Sequence, residues 1–242
     1  MDLKGCAALV TGGAHRVGRS IALAFARAGA DVIIHYHSSA DQAEATLAEL
    51  RGLGVRAWAF QADLARTADA ERLGEQALAQ AGRLDVLVNS AGIWGPTPIG
   101  EVTEERWDQL FGTNLRGAFF LTQQLAPALR AARGAIVNIA DAGLSRPWRN
   151  HTPYLASKGG VVAMTEALAR DLAPEVRVNA IAPGPVLLPD NWDERRADRA
   201  TRSVLLQRLG SPDDVGQAAV FLAQADYITG VLLPVDGGSH IA

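Results

Sequence analysis

Tyr154-Leu155-Ala156-Ser157-Lys158 sets a phenol and an ammonium four residues apart, the spacing at which two side chains share one face of a helix. Free tyrosine, with a pKa of about 10, is a poor proton donor or acceptor at neutral pH, and a neighbouring cation lowers that value. The pair therefore reads as a proton donor, Tyr154, tuned by Lys158. Asp141 stands thirteen positions upstream, just past an apolar run, where a carboxyl group can share a proton with the phenol. A Tyr-x-x-x-Lys pair by itself is more often plain helix surface, so its weight comes from its surroundings.

A second constellation lies near the N-terminus. Thr11-Gly12-Gly13-Ala14-His15-Arg16-Val17-Gly18 follows an apolar run and opens a helical one. A turn of this kind brings backbone N–H groups and a helix N-terminus up to a pyrophosphate, which gives Gly12 and Gly18 a steric reason to be glycine. The next apolar run, ending His35-Tyr36-His37-Ser38-Ser39, has no carboxylate to accept a free ribose 2′-hydroxyl. Arg16, His37, Ser38 and Ser39 could instead donate to a 2′-phosphate, so NADPH is the expected cofactor. His35 and His37 lack the further ligands of a metal site, and none is expected. Asp63-Leu64 and Asn89-Ser90-Ala91-Gly92, each just past an apolar run, offer carboxylate and amide groups to adenine and ribose.

These groups need a scaffold that delivers them to one edge. Short apolar or β-branched runs at 7–10, 31–35, 56–61, 86–89, 135–140, 177–181 and 232–235 read as strands. Helical periodicity covers 18–28, 40–51, 68–79, 104–130, 153–172 and 212–223, the first ended by Gly29 as a left-handed C′ residue. The alternation predicts βαβ units and one doubly wound, seven-stranded parallel sheet in a single domain, 1–242. Only 187–206, which carries Trp192 and many charges, breaks the rhythm; beyond a strand's carboxyl end it is a candidate substrate lid. With 242 residues, 48% hydrophobic and 20% charged, there is ample material for a core. A net charge of -3 gives no reason to expect nucleic acid or an anionic membrane as partner. No apolar run approaches the roughly 20 residues of a membrane span. The lone cysteine, Cys6, reads as a buried hydrophobe in a reducing, cytoplasmic setting. Asn150-His151-Thr152 matches a glycosylation sequon, which carries no weight in such a chain.

The Thr-Gly turn, Asn89-Ser90-Ala91-Gly92, Asn114, Tyr154 with Lys158, Pro183-Gly184 and Asp236-Gly237-Gly238 occur in this order, and together resemble the short-chain dehydrogenase/reductase family over the whole chain. The resemblance implies that Tyr154 donates the proton, that Lys158 lowers its pKa and holds the nicotinamide ribose, and that Asn114 continues a proton relay. It implies cofactor contacts at Gly12, Arg16, Val17 and Gly18, at Asn89, Ala91 and Gly92, and at Pro183, Gly184 and Val186. It also implies a homo-oligomer, a dimer or tetramer. Two departures stand out: Arg16 replaces the middle glycine of the turn, and Asp141 replaces the usual serine. Leu188 also stands where a threonine usually follows the Pro-Gly motif. With His35-Tyr36-His37-Ser38, Trp94 before Pro96-Thr97-Pro98, and Tyr227-Ile228-Thr229-Gly230, Arg16 and Asp141 are similar to pteridine reductases. That resemblance implies hydride transfer from NADPH to a pterin C=N bond, with Trp94, Asp141 and Tyr154 holding the substrate. The alternative is an NADPH-dependent carbonyl reductase, such as one acting on a 3-oxoacyl group; a non-catalytic nucleotide-sensing relative is the third.

Overall fold

Each strand alternates its apolar side chains between two faces, so a strand apolar throughout requires cover on both sides. The computed structural model, which describes residues 1–188 and 193–242, supplies that cover. The strands are β1 (Ala7–Val10), β2 (Asp31–Tyr36), β3 (Ala57–Gln61), β4 (Val86–Asn89), β5 (Ala135–Ile139), β6 (Arg177–Pro183) and β7 (Leu232–Val235). They form one all-parallel sheet in the order β3-β2-β1-β4-β5-β6-β7. Ala8 and Val10 of β1 join the core on one face with Ile21, Phe25 and Leu50. Ala7 and Leu9 join the core on the other with Leu73, Leu121 and Leu125.

The helices are α1 (Arg16–Arg27), α2 (Ala40–Gly52), α3 (Thr67–Ala81), α4 (Glu104–Phe111), α5 (Gly117–Ala132), α6 (Thr152–Asp171), α7 (Glu194–Arg202) and α8 (Pro212–Gln224). Gly29, just past α1, is left-handed as its C′ position requires. The strand order reverses between β1 and β4, which opens a crevice beyond the carboxyl ends of the strands, where open α/β sheets bind ligands.

The departures from sequence expectation are local. β6 continues to Pro183, two residues past the expected end, because Pro183 pairs with Val235 of β7. The helix expected over 104–130 is α4 and α5 joined by a π-helical turn, Gly112–Arg116. Such turns concentrate at functional sites, and this one carries Asn114. In the 187–206 segment α7 supplies the regular structure; Trp192, with the rest of 189–192, lies outside the described residues. Past α7 the Leu206 N–H donates to the Gly237 carbonyl (3.2 Å), which ties the segment to the closing Asp236-Gly237-Gly238 turn. Among the described residues no helix is long and apolar enough to cross a membrane.

Candidate active site

A cavity of about 540 Å³ opens at the carboxyl ends of β1 to β4, walled by Gly12, His15, His37, Ser38, Ser39, Asp63, Leu64, Ala91 and Gly92. Gly12 has φ +66°, and a Cβ on Gly18 would stand 2.1 Å from the Gly12 carbonyl oxygen, so the turn closes only with glycine at both positions. Thr11 Oγ1 accepts from the N–H groups of Ser90 and Ala91 (both 2.9 Å), which locks the ends of β1 and β4 together. His35 is buried as a structural residue. The Gly12 N–H donates to its Nδ1 (3.1 Å), so Nε2 carries the proton and donates to the Ala62 carbonyl (3.0 Å). Burial lowers the His35 pKa to about 4 and keeps the ring neutral.

Arg16 is exposed, next in sequence to His15 of the cavity wall but not itself in that wall, and adopts φ +54°. That left-handed conformation costs a residue with a Cβ about 1–2 kcal/mol. Val17 is half-buried against the core, as is Val186. The Asn89 side chain does not enter the cavity: its amide donates to Asn138 Oδ1 (2.9 Å) and Thr122 Oγ1 (3.3 Å) in the interior.

At the other end of the crevice Tyr154 and Lys158 rise from the first turns of α6, both buried. The Tyr154 hydroxyl donates to Asp141 Oδ2 (2.6 Å), and Asp141 Oδ1 accepts from the Gly143 N–H (2.7 Å). Both are charge-assisted lengths. Lys158 Nζ donates to the Ile139 carbonyl (2.7 Å), which holds the ammonium at the end of β5. Burial lowers its pKa to about 8, with the Asp141 charge opposing. Burial raises the Asp141 pKa against the Tyr154 and Gly143 hydrogen bonds and the Lys158 charge.

One expectation is corrected here. Lys158 was to lower the Tyr154 pKa, but burial and the adjacent Asp141 carboxylate push the phenol well above its ordinary value. Tyr154 is thus held as a neutral phenol.

Asn114 Oδ1 accepts from the Ile93 N–H (2.8 Å), while its amide donates to the Ile93 carbonyl (3.1 Å) and Ser157 Oγ (3.0 Å). It thereby joins the π turn, the β4–α4 loop and α6. A Cβ on Gly92 would stand 3.3 Å from Asn114 Oδ1 and 3.5 Å from Lys158 Nζ, so both groups lie beside the crevice floor. Pro183 and Gly184 close β6 on the far side, the Gly184 N–H donating to the Val235 carbonyl (3.0 Å).

Trp94, 45% exposed, stands at the mouth rather than in the core. Its ring stacks on His151 (centroids 4.9 Å, 22°), and the Thr97 N–H donates to the Asn150 carbonyl (2.6 Å), pinning the two loops together. Sequence reasoning missed Trp148 and His151. Trp148 lies face-on to Tyr154 (6.4 Å, 11°) and edge-on to His151 (5.7 Å), and nothing in its spacing announces this. His151 donates from Nδ1 to the Arg149 carbonyl (2.7 Å) and leaves a buried Nε2 without a partner among the described residues. Its signal in the sequence was read only as part of a sequon. Among the described residues no cluster of His, Cys, Asp or Glu is suited to a metal ion.

Comparison with known proteins places the chain. A family model described as enoyl-(acyl carrier protein) reductase matches residues 12–240. The 3-oxoacyl-[acyl-carrier-protein] reductase FabG of Staphylococcus epidermidis is 35% identical over 240 residues, covering 97% of this chain and 98% of its own. A blue fluorescent protein from a metagenomic library, solved in complex with NADPH, is 36% identical over the full length of both chains, with a TM-score of 0.93. A short-chain dehydrogenase/reductase variant from Serratia marcescens is 33% identical, covering 99% of this chain and 100% of its own, with a TM-score of 0.93. On this evidence the protein belongs to the short-chain dehydrogenase/reductase family.

Proposed function

We propose that the protein is an NADPH-dependent reductase of a pterin-like C=N bond. The glycine cradle at Gly12 and Gly18, which any Cβ would fill, fits a pyrophosphate, and the NADPH-bound structural relative supports the choice of cofactor. His37, Ser38 and Ser39, with Arg16 from the turn, would take the 2′-phosphate; Asp63 and Leu64 would border the adenine, and Tyr154 and Lys158 the nicotinamide ribose. The cofactor supplies the hydride.

The observation that carries the substrate assignment is the 2.6 Å bond between Tyr154 and Asp141. A ketone being reduced gathers negative charge on oxygen, and an ionised carboxylate beside the donor opposes it. A pterin nitrogen offers both lone pairs and N–H groups, which a carboxyl group can match in either direction. In this reading Tyr154 delivers its proton to the substrate nitrogen. The phenolate so formed, disfavoured by burial, is reprotonated from solvent through the Asp141 carboxylate, whose raised pKa favours taking up that proton. Lys158 holds a positive charge near the pair, and Asn114 fixes the loop over which the ring enters. The exposed face of Trp94 suits a flat ring.

A second reading, reduction of a 3-oxoacyl thioester, is the one the comparisons favour over a pterin: it is supported by the name of the 35% identical Staphylococcus epidermidis relative and by a 38% identical putative ketoacyl reductase of Streptomyces violaceoruber, while the pterin reading rests on the site's residues alone. A panel of dihydrobiopterin, dihydrofolate and an acetoacetyl thioester, run with wild type and Asp141→Ser, separates the two. Pterin turnover that drops by about 10²–10⁴ in the serine variant is expected. Thioester turnover with inert pterins, or unchanged pterin turnover in Asp141→Ser, gives the assignment to the second reading.

A further inference from the structure

A second cavity, of about 580 Å³, adjoins the reacting end and contributes nothing to the proton chemistry above. Gly143, whose N–H holds Asp141, and Trp148, whose other neighbour is Tyr154, form the wall nearest the site. Arg146 from the β5–α6 loop and Arg199 from α7 form the wall beyond. The cavity is therefore bordered both by two residues that contact the Tyr154–Asp141 pair and by two arginines carried by separate elements.

Among the described residues that line the cavity none is acidic. Behind the wall, the Asp141 carboxylate accepts from the Gly143 N–H (2.7 Å) and the Tyr154 hydroxyl (2.6 Å), and Asp236 is occupied by the Ser239 hydroxyl (2.9 Å), the Gly238 N–H (3.0 Å) and the His240 N–H (2.8 Å) and ring. Among the described residues neither arginine is ion-paired with an acidic side chain; Arg146 spends one N–H on the Ala242 carbonyl oxygen (3.0 Å). The two lining hydroxyls point their protons elsewhere, Ser203 to the Ala200 carbonyl (2.7 Å) and Ser239 to Asp236. The arginines are thus the cationic hydrogen-bond donors among the described lining residues, and they stand out in a chain whose net charge is -3.

We infer that Arg146 and Arg199 form an anion-binding subsite, and that the substrate carries a carboxylate or phosphate tail remote from the reacting bond. The inference builds on the proposed reductase activity and names a feature of its substrate. Planar guanidinium forks match both anions. An anionic tail could belong to a heterocycle bearing carboxylates or to a thioester bearing a phosphate, and the two arms below distinguish them.

The first arm compares KM for dihydrobiopterin, whose tail is neutral, with dihydrofolate, whose tail is anionic. The second compares acetoacetyl-pantetheine with its phosphorylated form. In the arm that turns over, wild type should favour the anionic member. Arg199→Gln and Arg146→Gln should each raise its KM about 5- to 20-fold, with kcat nearly unchanged and the neutral member unaffected. Arg199→Lys should recover part of the loss, and added salt should raise KM for the anionic member alone. A change in both members together marks a merely structural role and overturns the inference, as does a wild type indifferent to the tail or inactive in both arms. Charge selection confined to the thioester arm keeps the subsite and removes the pterin assignment; pterin turnover without charge selection does the reverse.

Discussion

Replacing Lys158 with methionine should stabilise the ligand-free protein at pH 7 while abolishing turnover. Burial holds the Lys158 ammonium at about 8, against 10.5 for the same group in water. Below about pH 8 both folded and unfolded chains bind the proton, and the fold bears the whole cost of burying it. Between about 8 and 10.5 the unfolded chain alone stays protonated, so wild-type stability rises with pH across that window. A gap of about 2.5 pH units, at about 1.4 kcal/mol each, is about 3 kcal/mol. Methionine keeps much of the apolar stem, and losing the bond to the Ile139 carbonyl gives back about 1 kcal/mol. Asp141 loses its buried counter-charge, and its carboxyl responds by holding its proton more firmly. The net expectation is a variant about 2 kcal/mol more stable at pH 7, the difference shrinking to near zero by pH 10. Urea unfolding of both proteins at pH 7, 8.5 and 10 measures it. A variant less stable than wild type at pH 7, or a difference that does not shrink with pH, would refute the account of a strained, buried ammonium.

Three further substitutions test the cofactor cradle and the proton donor. Arg16→Gly should relieve the left-handed strain, raising stability by about 1 kcal/mol, while weakening NADPH far more than NADH; equal losses for the two cofactors on titration defeat the 2′-phosphate assignment. Tyr154→Phe should abolish turnover yet leave NADPH affinity within a few-fold, and a variant that keeps most of its rate shows that another group gives the proton. Gly18→Ala sets a methyl group against the Gly12 carbonyl oxygen, so NADPH binding measured by fluorescence should fall at least tenfold; unchanged affinity means the turn is not the pyrophosphate cradle.

Much of the fold was legible because parallel strands buried on both faces are continuous apolar runs, and seven of them alternate with helical periodicity. The ends of β1, β4 and β7 match the runs residue for residue, since a strand stops where its apolar side chains do. The π turn at Asn114 was not legible. The residues on both sides of it have helical periodicity, and what holds the turn, the Asn114 amide bridging Ile93 and Ser157, joins positions that no local spacing connects. The inward turn of Asn89 has the same origin, since its partners Asn138 and Thr122 lie on a neighbouring strand and helix. Tyr154, Lys158 and Asp141 could be found from type and spacing, but the direction of their influence could not. Burial and the order of contact decided that, and both are products of the fold.

The carboxyl group at 141 changes what the tyrosine is for. With a serine there, a buried lysine is the nearest charge, and lowering the phenol's pKa is the only available way to make it reactive. With a carboxylate at 2.6 Å, the phenol is pushed upward instead, and the pair behaves as one site that holds a shared proton. Such a site is poor at stabilising an isolated phenolate. In the pterin reading proposed above, the substrate takes one proton on nitrogen and the pair reloads from solvent through Asp141. Burial raises the pKa of that carboxyl, so the loaded form persists at higher pH than in water, and the reductive rate should be full below the raised value and fall as pH climbs through it. The same logic places the aromatic residues. Trp148 lies over the Tyr154 ring, the His151 charge opposes the rise in the Asp141 pKa, and Trp94 presents its exposed face to whatever flat group enters.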